Sequence, residues 1–510
     1  MITITLAVIA LSLIAYLVKK AWDINQHWEK KGIKHCKPVL FFGNCFPIVL
    51  NKKSLSDIIG ELYNKYPKEQ VLGFYDFLTP RLFIRDPELL QKILIKDFTH
   101  FTDHGFEINS ETNPTDDQLF VMNGSRWRAF RNKMSPIFTS GKLKDMYTTM
   151  SSCGENLIEY LKKRENEDID IRELMGLFSM DVIGAAVFGM DPGTLKNPDC
   201  EFRVMGKRLT ETNFQNILRF WLLLAFPKFF QKLGISFQDN IVNTYYGKLI
   251  QQNFEYRKEK QVYRNDFTQM LLQLKEKGKV EVQSWDSNDD YLKTNEPVGN
   301  IEQYEITDNI ILAQAQSFMV AGFETTAILL AFTLFELTQN PEMQEKVREE
   351  IFEQTKHHGG FTYEALKNMK YLEATIKETQ RLYPMVAYLF RACTKDYELP
   401  DGYVIKKGDH IAIPVSAVHL DPNNYPDPKV YRPERFLEPI KQGIYLPFGE
   451  GPRICIAMRY AIMVMKYGLA KFLMHYRAKL SEKTKVPLQY NYRFFTPVPS
   501  NKIMLKIEKI

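Results

Sequence analysis

The segment Pro447-Phe448-Gly449-Glu450-Gly451-Pro452-Arg453-Ile454-Cys455-Ile456-Ala457 sets two glycines, two prolines, an arginine and a cysteine ahead of an apolar helical run that begins at Met458. A lone cysteine is usually an inert buried thiol. This one follows a glycine-rich turn and leads into a helix, so backbone N–H groups and a positive helix end face the sulfur, and Arg453 adds a cation. A metal held by this one thiolate needs its other positions filled by something besides protein, because no other Cys or His lies close by in the sequence. A haem would fill them.

Upstream, residues 307–340 read TDNIILAQAQSFMVAGFETTAILLAFTLFELTQN. Thr307 or Asp308 supplies a cap and Asn340-Pro341 a stop, which predicts one helix about 50 Å long at ~1.5 Å per residue. Its apolar character on most faces sends it through a core. Glu324, Glu336, Gln314 and Gln316 argue against a membrane span. The middle, Ala321-Gly322-Phe323-Glu324-Thr325-Thr326, admits two readings. One is a kinked site where a ligand presses on the backbone. The other is a packing glycine with a solvated glutamate.

At the start of the chain, residues 1–18 carry no charge and are followed by Lys19 and Lys20. Eighteen residues span about 27 Å as a helix, enough for a thin bilayer. The rival reading is a cleaved signal peptide, which would need a basic region before the apolar run and a small-residue site after it; neither is present. Six lysines and two acids fall within residues 1–37, so that +4 of the net +6 lies beside the apolar run. The positive-inside rule then keeps the rest of the chain cytosolic. The remaining charge is too mild to imply nucleic acid, and none is expected as a partner. The six cysteines are too sparse for a disulfide scaffold. Mean hydropathy of −0.29 excludes a multi-span membrane protein. Residues 276–305 read as a solvated excursion, and the short apolar runs of residues 397–414 as a small β region.

The Phe-x-x-Gly-x-Arg-x-Cys pattern at 448–455 resembles the haem-thiolate loop of the cytochrome P-450 family. The similarity covers essentially the whole chain. It includes Ala-Gly-x-Glu-Thr-Thr at 321–326, Glu-x-x-Arg at Glu378 and Arg381, Pro-Glu-Arg-Phe at 433–436, and Trp-x-x-x-Arg at Trp127 and Arg131. Glu-x-x-Arg alone carries no weight; five motifs in the family's order do. The phrases at 37–44 and 180–189 are most similar to the insect microsomal xenobiotic-metabolising branch. Two positions depart from the pattern. Ala457 stands where the family usually has glycine, and His104 where relatives often have arginine.

The resemblance implies a role for each motif. Cys455 is the axial thiolate of haem b, next to Phe448. Trp127, Arg131, Arg391 and Arg453 hold the haem propionates; Arg391 also reads as an ordinary surface arginine. Glu324 and Thr325 are the catalytic distal pair, one relaying protons and the other holding dioxygen and water. Glu378, Arg381 and Arg435 form a buried structural triad that supports the cysteine loop. Phe106, Phe120, Phe214, Phe318, Ala321, Leu389 and Phe494 line the substrate cavity or are plain core. The apolar run 217–230 dips into the membrane or merely packs. Arg126, Arg128, Lys133, Arg459 and Lys466 form a basic docking face or are solvated helix charges.

The expected architecture is mainly α with a small β region, the cytochrome P-450 fold. It comprises a transmembrane signal anchor at 1–18, a basic juxtamembrane linker at 19–37 and one catalytic domain at 38–510. The expected enzyme is an NADPH-dependent monooxygenase of the endoplasmic reticulum membrane, facing the cytosol, that inserts one atom of O2 into lipophilic small molecules such as plant toxins, insecticides or endogenous lipids. Without a Rossmann fingerprint or flavin domain, electrons must come from NADPH-cytochrome P-450 reductase, with cytochrome b5 as a second candidate donor. The rivals are a reductase-independent haem-thiolate isomerase or dehydratase, and a catalytically idle haem- or ligand-binding protein.

Overall fold

A computed structural model describes residues 2–106, 114–165, 167–210, 240–283, 301–491 and 496–510. Phe214, Phe494 and the run 217–230 lie outside the described residues. The chain is mainly helical, with small sheets.

Helix α1, Ile2–Asn25, is long and apolar enough to cross a membrane and exposes its apolar side chains. It continues past Val18 to Asn25, and the segment behind it packs against the body. Trp28 is buried, its backbone N–H donating to the Tyr75 hydroxyl at 3.0 Å and its indole N–H to the Phe74 carbonyl at 3.1 Å. The Tyr75 hydroxyl in turn donates to the Asn25 carbonyl at 2.9 Å. Gly73 has no side chain because the Trp28 ring occupies that space.

Strands β1 (Val71–Asp76) and β2 (Thr79–Ile84) form a hairpin. Strand β3 (Leu389–Ala392) runs antiparallel to β4 (His410–Ile413), and β4 runs parallel to β2, giving the sheet order β1-β2-β4-β3. One of these strands, β4, thus comes from the region read as β in the sequence; β3 precedes that region, and the other two lie far upstream. The supposed excursion at 276–305 begins and ends in an antiparallel ribbon, Lys279–Gln283 against Ile301–Glu305. Lys279–Gln283 alternates polar and apolar residues, a strand period too short to stand out among charged neighbours.

Helix α2, Asp308–Gln339, has the predicted limits, with the Thr307 hydroxyl accepting the Ile310 N–H at 3.3 Å. Residues 326–337 are all buried, which identifies it as a core helix despite a composition apolar enough for a membrane. It packs along Ile171–Ile183 and against α4, Met458–His475; α3, Lys370–Leu382, crosses nearby. The apolar residues fall into two clusters, one helical and one built on the four-stranded sheet. The cysteine loop runs between them: Leu446 belongs to the sheet cluster, whereas Phe448, Ile456 and Ala457 pack on the helical one.

Within the sheet, Arg81 pairs with Asp76 at 2.9 Å and sits beside His410 in register. Burial, and then the Arg81 cation, push the His410 imidazole down from 6.5 to about 4. The unfolded chain therefore binds a proton that the native chain refuses. Stability from this group is complete above pH 6.5 and falls as the pH drops from 6.5 towards about 4. Urea midpoints compared at pH 7 and pH 5 should show this loss, and the loss should be smaller in His410→Gln.

Candidate active site

The cysteine loop is held by a close backbone approach. Gly449 and Gly451 have φ of +75° and +74°, in the left-handed region. A Cβ on Gly449 would meet nothing closer than Leu389 Cδ1 at 3.8 Å, so this glycine serves backbone conformation alone. A Cβ on Gly451 would collide with the Leu94 carbonyl, so this glycine also makes room for another backbone. The turn so formed lets the Cys455 N–H donate to the Phe448 carbonyl at 2.8 Å. Solvent reaches the Cys455 side chain, yet protein surrounds it closely enough that burial pushes the thiol up from its ordinary value. The Ala457 N–H and the Arg131 cation act in the opposite direction. Ala457 itself is the residue that precedes helix α4.

The three predicted cofactor-holding residues outside the loop, Trp127, Arg131 and Arg391, converge with Arg453 around it. Arg131 donates to the Ile454 carbonyl at 2.7 Å. Arg453 is buried, lies 4.0 Å over the Trp127 ring, and donates to the Thr102 carbonyl at 2.8 Å and the Met122 carbonyl at 2.7 Å. Arg391, on β3, is buried rather than a surface residue and donates to the Phe390 carbonyl at 2.6 Å. Burial lowers the Arg391 guanidinium to about 10. Burial, followed by the Arg391 and Arg131 cations, holds Arg453 well below its usual value despite Asp103. The Arg453–Asp103 pair is loose at 3.9 Å. Arg391 Nε and Arg453 Nη1 are buried with no hydrogen-bond partner among the described residues. Buried cations with free donors fit a ligand that brings carboxylates.

His104 completes this cluster. Its Nδ1 lies 2.7 Å from the Phe120 carbonyl and therefore carries the proton. Burial first, then Arg453 and Arg391, hold the imidazole well below its ordinary value.

On α2 the glycine notch divides between both sequence readings. Gly322 is a packing residue, since a Cβ there would collide with Ile183, and Ser179 from the same partner helix donates to the Phe323 carbonyl at 3.1 Å. Ala321 is exposed although it sits in the middle of a core helix, as an internal slot requires. One turn on, the Thr325 hydroxyl donates back to the Ala321 carbonyl at 2.6 Å. Glu324 is half-buried and pairs with Arg172 at 2.6 Å. Sequence spacing gave no sign of Arg172, which enters from a distant helix start. Among the cavity candidates, Phe318 is core, stacked on Phe138 at 5.9 Å and against Phe267 at 4.0 Å. Phe106 and Phe120 instead form a partly open aromatic patch with rings 5.6 Å apart, Phe120 being exposed.

The support triad forms as expected. Glu378 and Arg381 are fully buried and paired at 2.8 Å, and Arg435 closes on Glu378 at 3.4 Å. The basic docking face loses one member. Lys466 is buried, 3.2 Å from Glu373, and donates to the Lys367 carbonyl at 3.3 Å. Arg126 pairs with Asp117, while Arg459 and Lys133 remain exposed.

The two loop glycines should respond differently to substitution. Gly449→Ala adds backbone strain of about 1–2 kcal/mol. Gly451→Ala adds to that an overpacking cost of about 1–3 kcal/mol. Thermal midpoints should fall further for Gly451→Ala than for Gly449→Ala.

Comparison with known proteins bears on the same residues. The family model for cytochrome P-450 matches residues 34–507. A probable cytochrome P-450 6d5 of Drosophila melanogaster is 36% identical over 99% of this chain and 99% of its own. Cytochrome P-450 6a8 of the same fly is 34% identical over the full length of both. Cytochrome P-450 9e2 of Blattella germanica is 34% identical over 99% of this chain and 97% of its own. With the thiol loop, the buried ion-pair triad and the notched core helix all in place, the chain belongs to the cytochrome P-450 family.

Proposed function

We propose that this protein is a membrane-bound haem-thiolate monooxygenase. It inserts one atom of O2 into a lipophilic small molecule and reduces the other to water, with electrons from NADPH through a separate reductase. The observation that carries the proposal is the occurrence together of a solvent-reachable Cys455 and buried Arg391 and Arg453, each of which leaves one guanidinium nitrogen without a partner among the described residues. In this reading residues 1–18 anchor the chain in the endoplasmic reticulum, and the catalytic domain at 38–510 faces the cytosol.

Haem b, bound through the Cys455 thiolate, supplies dioxygen activation, which thiolate donation favours. Cys455 would hold the haem as a thiolate, a form that the Ala457 N–H and the Arg131 cation favour. Arg391, Arg453 and Arg131 would hold the carboxylates, with the Trp127 ring packed against the Arg453 guanidinium at 4.0 Å. The exposed methyl of Ala321 leaves room for substrate beside the helix. The Thr325 hydroxyl spends its proton on the Ala321 carbonyl, so its oxygen keeps lone pairs with which to accept a bond from water. In this reading Glu324, partly exposed and paired with Arg172, relays protons from solvent towards that hydroxyl.

The test is the spectrum of the reduced, carbon monoxide-bound protein, followed by turnover with purified reductase. A strongly red-shifted Soret band and NADPH-dependent oxidation of a panel of plant toxins, insecticides and lipids are expected. An unshifted band, or conversion of peroxides without reductase, would overturn the proposal. In Thr325→Ala the spectrum should be retained while product per NADPH falls about ten-fold or more and hydrogen peroxide rises, because a positioned proton transfer contributes about 10²–10⁴-fold.

A further inference from the structure

His419 ends the short helix Val415–His419 and is fully buried. Both of its ring nitrogens are engaged. Nδ1 lies 3.2 Å from the Arg381 carbonyl, which can only accept, so Nδ1 bears the proton. Nε2 then accepts the Leu446 N–H at 2.8 Å. A single neutral tautomer satisfies both contacts; the other tautomer, or the imidazolium, would set N–H against N–H. The His419 carbonyl also accepts from Arg381 at 2.8 Å, which ties the residue twice to the buried Glu378–Arg381 pair.

Leu446 is the hinge of the cysteine loop. Its carbonyl accepts the Gly449 N–H at 3.0 Å, closing the turn from which Phe448 holds the Cys455 N–H. The two residues before it are also pinned. The Tyr445 ring stacks on His419 at 5.8 Å and its hydroxyl donates to Gln380 at 2.8 Å, while the Ile444 carbonyl accepts from the Tyr425 hydroxyl at 3.0 Å. Of these three restraints, His419 alone bonds the amide whose own carbonyl closes the glycine turn.

We propose that His419 is a positioning residue for the Cys455 loop. Its neutral imidazole passes the placement of the Glu378–Arg381 pair to the Leu446 amide, and thereby to the donors around sulfur. This inference rests on the haem-thiolate reading above.

The test compares two isosteres in the full-length holoprotein, by the reduced carbon monoxide spectrum in mild urea. His419→Gln places a carbonyl near the Nε2 position and keeps the bond to Leu446. His419→Asn places its amide near Nδ1, keeps the bond to Arg381 and leaves the Leu446 N–H without a partner. We expect His419→Asn to pass from the red-shifted to the unshifted band about ten-fold faster than the unaltered protein, the effect of one orphaned buried amide. His419→Gln should stay within about two-fold, since the amide keeps an acceptor. Tyr425→Phe, which removes a neighbouring pin but spares the Leu446 amide, serves as the control at a matched fall in urea midpoint, and its band should persist. Equal rates for the Gln and Asn variants, or equal rates for His419→Asn and Tyr425→Phe, would overturn the role of His419 alone. An unshifted band in the unaltered protein would instead overturn the haem-thiolate reading and this proposal with it.

Discussion

The ion pair between Glu378 and Arg381 is the constraint on which the cysteine loop depends. Both side chains are wholly buried, where an unpaired charge is expensive and even a paired one is not a reliable source of stability. What makes the burial tolerable is that the polar atoms are used. Glu378 accepts from both Arg381 and the Arg432 N–H at 2.8 Å. Arg381 also donates to the carbonyls of His419 at 2.8 Å and Pro428 at 2.7 Å. Such a network has one arrangement that satisfies all its members, and it therefore fixes the position of the chain around 419–432. The loop at 446–455 is built on that fixed backbone.

The opposite electrostatic situation holds on the other side of the loop. There Arg391, Arg453 and Arg131 gather with His104 near one carboxylate, Asp103, which lies 3.9 Å from Arg453 and accepts the Gly124 N–H at 2.7 Å. The chain leaves donors buried and unused at this point. One charge cluster is closed upon itself; the other keeps buried guanidinium nitrogens without partners among the described residues. The two meet at a loop of a few residues in which Gly451 lets the chain pass against the Leu94 backbone.

Much of this was legible in the chain itself. The long helix has its predicted cap and stop because local signals, Thr307 and Asn340-Pro341, set them. Glu378 and Arg381, three residues apart on one helix, were bound to share a face. Arg172 and Asp103 were not legible as partners, because nothing in their own segments marks them; they are partners by the crossing of distant elements. The four-stranded sheet escaped for the same reason: β2 lies beside β4 through a pairing that joins Arg81 to His410 across most of the chain. Lys466, an apparent surface cation in an apolar helix, is buried because its partner Glu373 lies on another helix.

The sequence by itself determined the chemistry: one thiol after a glycine turn, an acid–alcohol pair in a core helix, and a set of motifs in a family's order. Residue type and short-range spacing are sufficient for that, since helical periodicity and turn conformation are local. Only the tertiary structure decided which cations lose water without gaining an anion, that Gly322 answers to Ile183 while Ala321 faces open space, and that a buried histidine stands between the ion pair and the loop. Burial and long-range hydrogen bonding depend on which distant segments meet, and that is settled by packing.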